Sequence, residues 1–193
     1  MLQLNNCSFL GVNMKHRGFT LLELLVTIAI LAILATLSFA GNNDLNEKTR
    51  AESFVLELKR HITFARAKAT TSDEIVILCP VNATELAAQK NLTCTNDWKN
   101  DQIISFIDKN NNATYEVAGD DLLRVMEKIA VNDNLKAPDT RVRFDSSGRI
   151  VNSNGGKFIY CPLNKAEHAK VMTLTVGGTS RYNGDAEDAD NCL

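Results

Sequence analysis

Hydrophobic and polar positions fall into three regimes along this chain. From Phe19 to Ala40, 22 consecutive residues carry a single ionisable side chain, Glu23. At ~1.5 Å per residue such a helix reaches roughly 33 Å, enough to cross a bilayer core of about 30 Å. Lys15, His16 and Arg17 stand directly before it, which places the N-terminal side in the cytoplasm and exports the rest. Beyond the polar interruption Gly41-Asn42-Asn43-Asp44 the period changes. Ala51, Phe54, Val55, Leu58, Ile62, Ala65 and Ala69 recur at three-and-four spacing, while Glu52, Glu57, Lys59, Arg60, Arg66 and Lys68 fall elsewhere, the signature of an amphipathic helix. No proline interrupts residues 19–71. The expectation is one long helix, its first half in the membrane and its second half laid on an apolar surface.

The third regime supplies that surface. Residues 74–79, 102–107, 122–129, 141–144, 149–152, 157–161 and 170–176 are short runs rich in β-branched and aromatic side chains, mostly bounded by Gly, Pro, Asn or Asp, and read as strands. Asp145-Ser146-Ser147-Gly148 and Asn152-Ser153-Asn154-Gly155-Gly156 read as hairpin turns. A helix followed by antiparallel strands gives an α+β domain. The acidic tail from Asn183, with Asp185, Glu187, Asp188 and Asp190, is expected to be mobile until Cys192 fixes it.

Two features distinguish the apolar run from a secretory signal, which is shorter and has its small-residue cleavage site on the far side. Here the small residue, Gly18, comes first, and an acid, Glu23, sits five residues in. An intramembrane carboxylate calls for a partner. Cleavage after Gly18 would supply one, the new α-amino group of Phe19, cationic near neutral pH. Glu23 pairs with that amine within its own helix or with the amine of a neighbouring chain in a helical stack. At ~4 Å and an effective dielectric of 20 the attraction is about 4 kcal/mol before desolvation, so the acid acts as an assembly register.

The 193 residues suit one domain and an anchor. The leader, residues 1–18, holds two of the 21 basic residues and none of the 23 acids, so the mature chain has a net charge of −4. That balance argues against nucleic-acid binding through bulk charge. Met14 offers a second start, with a leader of only five residues. Cys7 lies in the leader, so the mature chain keeps Cys79, Cys94, Cys161 and Cys192. Four cysteines in an exported domain read as two disulfides with three possible connectivities. Cys79–Cys94 with Cys161–Cys192 is favoured, because each joins a strand end to the loop or tail that follows. A zinc site is disfavoured, since no two cysteines show the close spacing such sites use.

Candidate chemistry is sparse. His16 is in the leader, His61 lies beside the apolar stripe and His168 in a polar loop, and no nucleophile–base spacing or phosphate loop is present. Neither an enzyme activity nor a cofactor is expected. Asp108, Asn110, Asn112, Thr114 and Glu116 alternate as in a calcium loop, but Ala113 and Gly119 replace the glycine and glutamate of that pattern; an Asn-rich turn is expected. Asn82-Ala-Thr84, Asn91-Leu-Thr93 and Asn112-Ala-Thr114 match the glycosylation sequon and are read as turn chemistry. Cys-Pro-x-Asn occurs at 79–82 and 161–164, read as two strands ended alike rather than as a duplication.

The string Arg17-Gly18-Phe19-Thr20-Leu21-Leu22-Glu23-Leu24-Leu25-Val26 closely resembles the class III signal of type IV pilins and type II secretion pseudopilins. The resemblance implies that a prepilin peptidase cuts between Gly18 and Phe19 and methylates the Phe19 amine. Past the helix the chain is similar to the GspH/FimT family, in particular the FimT/FimU-type minor pilins. Ala65-Arg66-Ala67-Lys68-Ala69, Val76-Ile77-Leu78-Cys79-Pro80, Cys94 with Trp98, Phe106-Ile107-Asp108-Lys109-Asn110, Leu122-Leu123-Arg124, Arg143-Phe144-Asp145-Ser146-Ser147-Gly148 and Phe158-Ile159-Tyr160-Cys161 carry the similarity in order. It implies a pilin-like α+β fold divided into leader 1–18, assembly helix 19–40, amphipathic continuation 41–71 and disulfide-stapled head 72–193. The implied function is that of a minor pilin in the initiation or tip complex of a type IV pilus serving twitching, adhesion or DNA uptake. Its partners would be minor and major pilins, the prepilin peptidase and the inner-membrane assembly platform. Its location would be the inner membrane as a single-pass protein with a periplasmic head, then the pilus surface. The alternatives are a GspH-like pseudopilin of type II secretion and a DNA-binding minor pilin for transformation. Relatives of FimT are implicated in binding DNA during uptake through basic residues near a Gly-Arg-x-Arg motif late in the chain. Here the stretch is Gly178-Thr179-Ser180-Arg181, with Arg181 alone beside four acids, which implies weak double-stranded DNA binding.

Overall fold

The computed structural model describes residues 18–39, 42–151, 153–187 and 192. Leader residues Cys7, Met14, Lys15, His16 and Arg17, together with Ala40, Gly41, Asn152, Asp188 and Asp190, lie outside them. The chain forms two compact units divided after Asn42. The first holds helix α1, Leu21–Phe39, whose described side chains are all exposed as far as Thr36. Among the described residues no helix is long and apolar enough to cross a membrane. The expected span runs on to Ala40, outside the described residues, and so does the question of one uninterrupted helix, which turns on residues 40 and 41.

Helix α2, Asn42–Ser72, belongs from Asn43 onward to the second unit. The expected polar interruption is therefore helical from Asn42 onward. Asp44 falls in the first turn, where the helix dipole favours an acid. Ala51, Val55, Leu58, Ile62, Ala65 and Ala69 are fully buried and Phe54 partly so. Burying each larger aliphatic side chain contributes ~1.5–3 kcal/mol, so this stripe is what holds α2 to the head.

The head follows as β1 Val76–Val81, a short helix α3 Ala83–Ala87, β2 Leu92–Thr93, β3 Gln102–Ile107, β4 Thr114–Tyr115, β5 Asp121–Val125, β6 Asn134–Lys136, β7 Val142–Phe144, β8 Gly156–Cys161, β9 Lys170–Leu174 and β10 Ser180–Asp185. One antiparallel sheet has the order β5-β3-β1-β7, a second β10-β9-β8-β6, and β2 pairs with β4. Leu78, Ile103 and Phe144 of the first sheet and Phe158, Tyr160 and Met172 of the second share one core with the α2 stripe. The far face of the first sheet, Ile77, Cys79, Ile104 and Phe106, is covered by Leu92 and Tyr115. Strand β1, buried at every position, is thus covered on both faces, and its run Val-Ile-Leu-Cys shows no alternation.

Four sequence expectations are corrected. The strand over 149–152 shrinks to a bridge between Phe144 and Ile150, closed by the Asp145 N–H on Arg149 O and the Val151 N–H on Arg143 O, while the Ile150 N–H on the other side donates to Val176 O. The hairpin expected over 152–156 is absent from its described part, residues 153–156, since β8 pairs with β9 and β6; Gly155 and Gly156 take φ of 75° and 150° so the connection passes close to Leu174 O and Pro138. The strand over 122–129 ends at Val125, and Met126 and Ile129 turn into the core. The tail expected to be mobile from Asn183 is paired to β9 through Asp185.

Candidate functional site: the processing signal and the head

Gly18 has no neighbouring atom within 4 Å of a Cβ built on it, and Phe19 is 80% exposed. Both residues that flank the expected cleavage point are thus exposed. Thr20 starts α1: its carbonyl accepts the Leu24 N–H at 3.1 Å and its Oγ1 accepts the Glu23 N–H at 3.2 Å. This is an N-cap with an acid three residues on, which stabilises the first turn through an orphan donor and the helix dipole. The Glu23 side chain is exposed and has no ion-pair partner among the described residues. A capped first turn thus holds a carboxylate four residues from the nitrogen that cleavage would free.

In the head, a buried carboxylate that sequence reasoning passed over joins three elements. Asp133 has a fully buried side chain and accepts two hydrogen bonds from Arg50 of α2, Nε and Nη2, each at 2.8 Å. It also accepts the Tyr160 hydroxyl of β8 and, at 2.8 Å, the Leu163 N–H in the 3-10 turn Pro162–Asn164. Burial acts to raise the Asp133 carboxyl, but the Arg50, Leu163 and Tyr160 hydrogen bonds outweigh it and hold it below the usual carboxylate range. Burial, then Asp133, push the Tyr160 hydroxyl well above its ordinary value. Asp133 lies in Ala130-Val131-Asn132-Asp133, a stretch with no periodic signal. The Arg50–Asp133 pair spans 83 residues, beyond the reach of any local pattern.

The cysteines are joined Cys79–Cys94 and Cys161–Cys192. The first bridge sits on the far face of the first sheet; the second packs with Ile159 and Val171 and brings the end of the chain to β8. Asn134 donates through Nδ2 to Cys192 O at 3.1 Å. Arg181 is exposed on β10, opposite Thr173, which in turn faces Lys157. The same edge carries Asp185, paired with Lys170, and Glu187. Arg181 thus stands in a surface of mixed sign, separate from Gly178, which is buried in the preceding turn.

The Asn-rich segment closes on itself. Asp108 accepts the Asn112 and Ala113 N–H groups at 3.1 and 3.0 Å, and Asp120 those of Lys109 and Glu116 at 3.0 and 2.8 Å. Among the described residues no three His, Cys, Asp or Glu side chains gather as a metal site. The three sequon asparagines are likewise occupied. Asn82 caps α3 by accepting the Thr84 and Glu85 N–H groups, Asn91 accepts that of Val117 and Asn112 that of Thr114. His61 is buried against the core, and His168 is buried with Nε2 3.7 Å from Asp44 Oδ1.

The model of the prokaryotic N-terminal methylation motif matches residues 13–39, and that of the type II transport protein GspH matches residues 55–180, about two thirds of the chain. The chain belongs to the GspH family. The fold agrees with a solved structure: a crystal structure of the type IV minor pilin FimU of Pseudomonas aeruginosa superposes with a TM-score of 0.53 at 16% identity, covering 72% of this chain and 92% of that one. A second crystal form of the same protein gives 0.48 at 16% identity, over 70% and 90%. No curated protein matches the sequence significantly. This GspH-family chain thus carries an N-terminal methylation motif ahead of a head with the α+β pilin fold.

Proposed function

We propose that the chain is a minor pilin of a type IV pilus that acts in the initiation or tip complex. The observation that carries this reading is the exposed Gly18–Phe19 bond followed by a capped first turn that presents an unpaired Glu23. Prepilin peptidase cleaves that bond and methylates the Phe19 amine. Glu23 then pairs with an amine at the start of a helix bundle, the helix of residues 19–40 crosses the inner membrane, and the head faces the periplasm before assembly carries it to the cell surface. The head needs no catalytic centre for this work; its disulfides and the Asp133 cluster keep it rigid outside the cell.

The family model's own name, type II transport, favours a second reading as a pseudopilin of a secretion system. Deleting the gene separates the two: loss of surface pili with normal protein secretion supports the minor pilin, and loss of secretion with normal pili supports the pseudopilin. A direct role in DNA uptake is less favoured, because Arg181 shares its edge with Asp185 and Glu187 and phosphate binding needs a concentration of cations.

A further inference from the structure

The face of α2 opposite the buried stripe carries a second, unrelated feature. Arg60, Thr63, Phe64 and Ala67 lie at i, i+3, i+4 and i+7, on one side of the helix and diametrically away from Leu58, Ile62, Ala65 and Ala69. From the edge strand β5, Arg124 reaches over this face and lays its guanidinium on the Phe64 ring, 3.7 Å from the centroid. Together with Lys59 these residues line a shallow concavity with three cations and no carboxylate. Arg60, Arg124, Thr63 and Ala67 are exposed. No salt bridge occupies Lys59, Arg60 or Arg124 among the described residues. The field of the cluster is felt beneath it. Burial, then the charges of Arg124 and Arg60 working against Glu57, hold the His61 imidazole below its ordinary value.

We propose that this concavity docks an acidic segment of a neighbouring pilin-type subunit. The proposal rests on the assembly reading above. Three cations without a carboxylate call for an anionic occupant. An arginine stacked on an aromatic ring, with its apolar flank open, is the composition that protein–protein contacts favour. An extended phosphate backbone fits less well. The patch spans only residues 59–67 of the helix, about 12 Å at ~1.5 Å per residue. Glu57 lies one turn before Arg60 and Glu127 three residues after Arg124, so the patch pairs only a few anionic groups of whatever occupies it.

The test uses the full chain in detergent micelles with two fluorescent probes, deca-glutamate and a short DNA duplex. The chain is compared with Arg124→Glu, Arg124→Lys and, on the other sheet, Arg181→Glu. Circular dichroism checks that each variant is folded. The expected result is deca-glutamate binding that falls with salt, weakens at least about tenfold in Arg124→Glu as interfacial charge pairs do, survives in Arg124→Lys and is indifferent to Arg181→Glu. No binding of deca-glutamate, or binding unchanged in Arg124→Glu, overturns the proposal. So does duplex DNA binding more tightly than the peptide through Arg124. A photo-crosslinker at Ala67 in cells gives the partner. An acidic peptide from another protein with its own prepilin signal supports the docking surface. Peptide binding with a cross-linked partner that lacks such a signal overturns the assembly reading and leaves only the acid-binding patch. A prepilin partner without deca-glutamate binding overturns the patch and leaves the assembly reading.

Discussion

Replacing Asp133 with alanine tests how the head is locked to its helix. The side chain is fully buried and takes donors from Arg50, Tyr160 and Leu163. Removing it leaves the Tyr160 hydroxyl and the Leu163 N–H buried without an acceptor, at about 1–3 kcal/mol each. The Arg50 side chain is 40% exposed and turns to water, adding little. The expected loss is about 2–6 kcal/mol, and a middle value of about 4 lowers the melting temperature by roughly 8–16 °C for a unit of this size. The measurement is thermal unfolding of the head from Asn43, the start of the compact second unit, with disulfides intact. Acid provides an independent readout. Because the folded carboxyl titrates below its unfolded value, its contribution is complete above the unfolded pKa of about 3.9 and is lost as pH falls through the folded pKa. Asp133→Ala removes that part of the acid limb, and Arg50→Ala, which takes away the charged partner, shifts it to higher pH. A loss under about 1 kcal/mol in Asp133→Ala, or an acid limb unmoved in Arg50→Ala, would refute the reasoning.

Other substitutions probe other parts. Cys161→Ser opens a bridge across 31 residues and should cost roughly 3–4 kcal/mol on the chain-entropy argument; an unchanged melting temperature would mean that the bridge contributes nothing. Gly178→Ala puts a Cβ 2.1 Å from Gly148 O at a φ of 77°, so the expected loss is about 1–3 kcal/mol or more, and a stable variant would mean that the turn relaxes freely. Glu23→Ala should leave cleavage after Gly18 largely intact yet impair incorporation into filaments; normal incorporation would contradict the register argument. Arg181→Ala should change DNA binding little in a gel shift across a salt series, and strong binding abolished by the substitution would move the function toward uptake.

What the sequence made legible follows from the range of the interactions. The α2 stripe was readable because burial there repeats with the helix period, and six of its seven named positions are buried outright. Strand β3 was readable to the residue, a β-branched run between polar ends. Strands β6 and β10 were not: Asn-Leu-Lys and Ser-Arg-Tyr-Asn-Gly-Asp have no apolar run, and they exist because a hydrophobic neighbour offers its edge. In the same way, Asp133 and the Arg124–Phe64 stack depend on partners 83 and 60 residues away. The N-terminal signal stood out because Gly18, Phe19 and Glu23 stand within six consecutive residues and open an apolar run.

The central claim is that this chain is cut and assembled as a pilin, and intact-mass and N-terminal peptide mass spectrometry of the chain recovered from membranes tests it most directly. The account predicts a mature chain that begins with N-methylated Phe19, and a precursor that accumulates when the peptidase is absent. A chain that keeps Gly18 and its leader in peptidase-competent cells would contradict it.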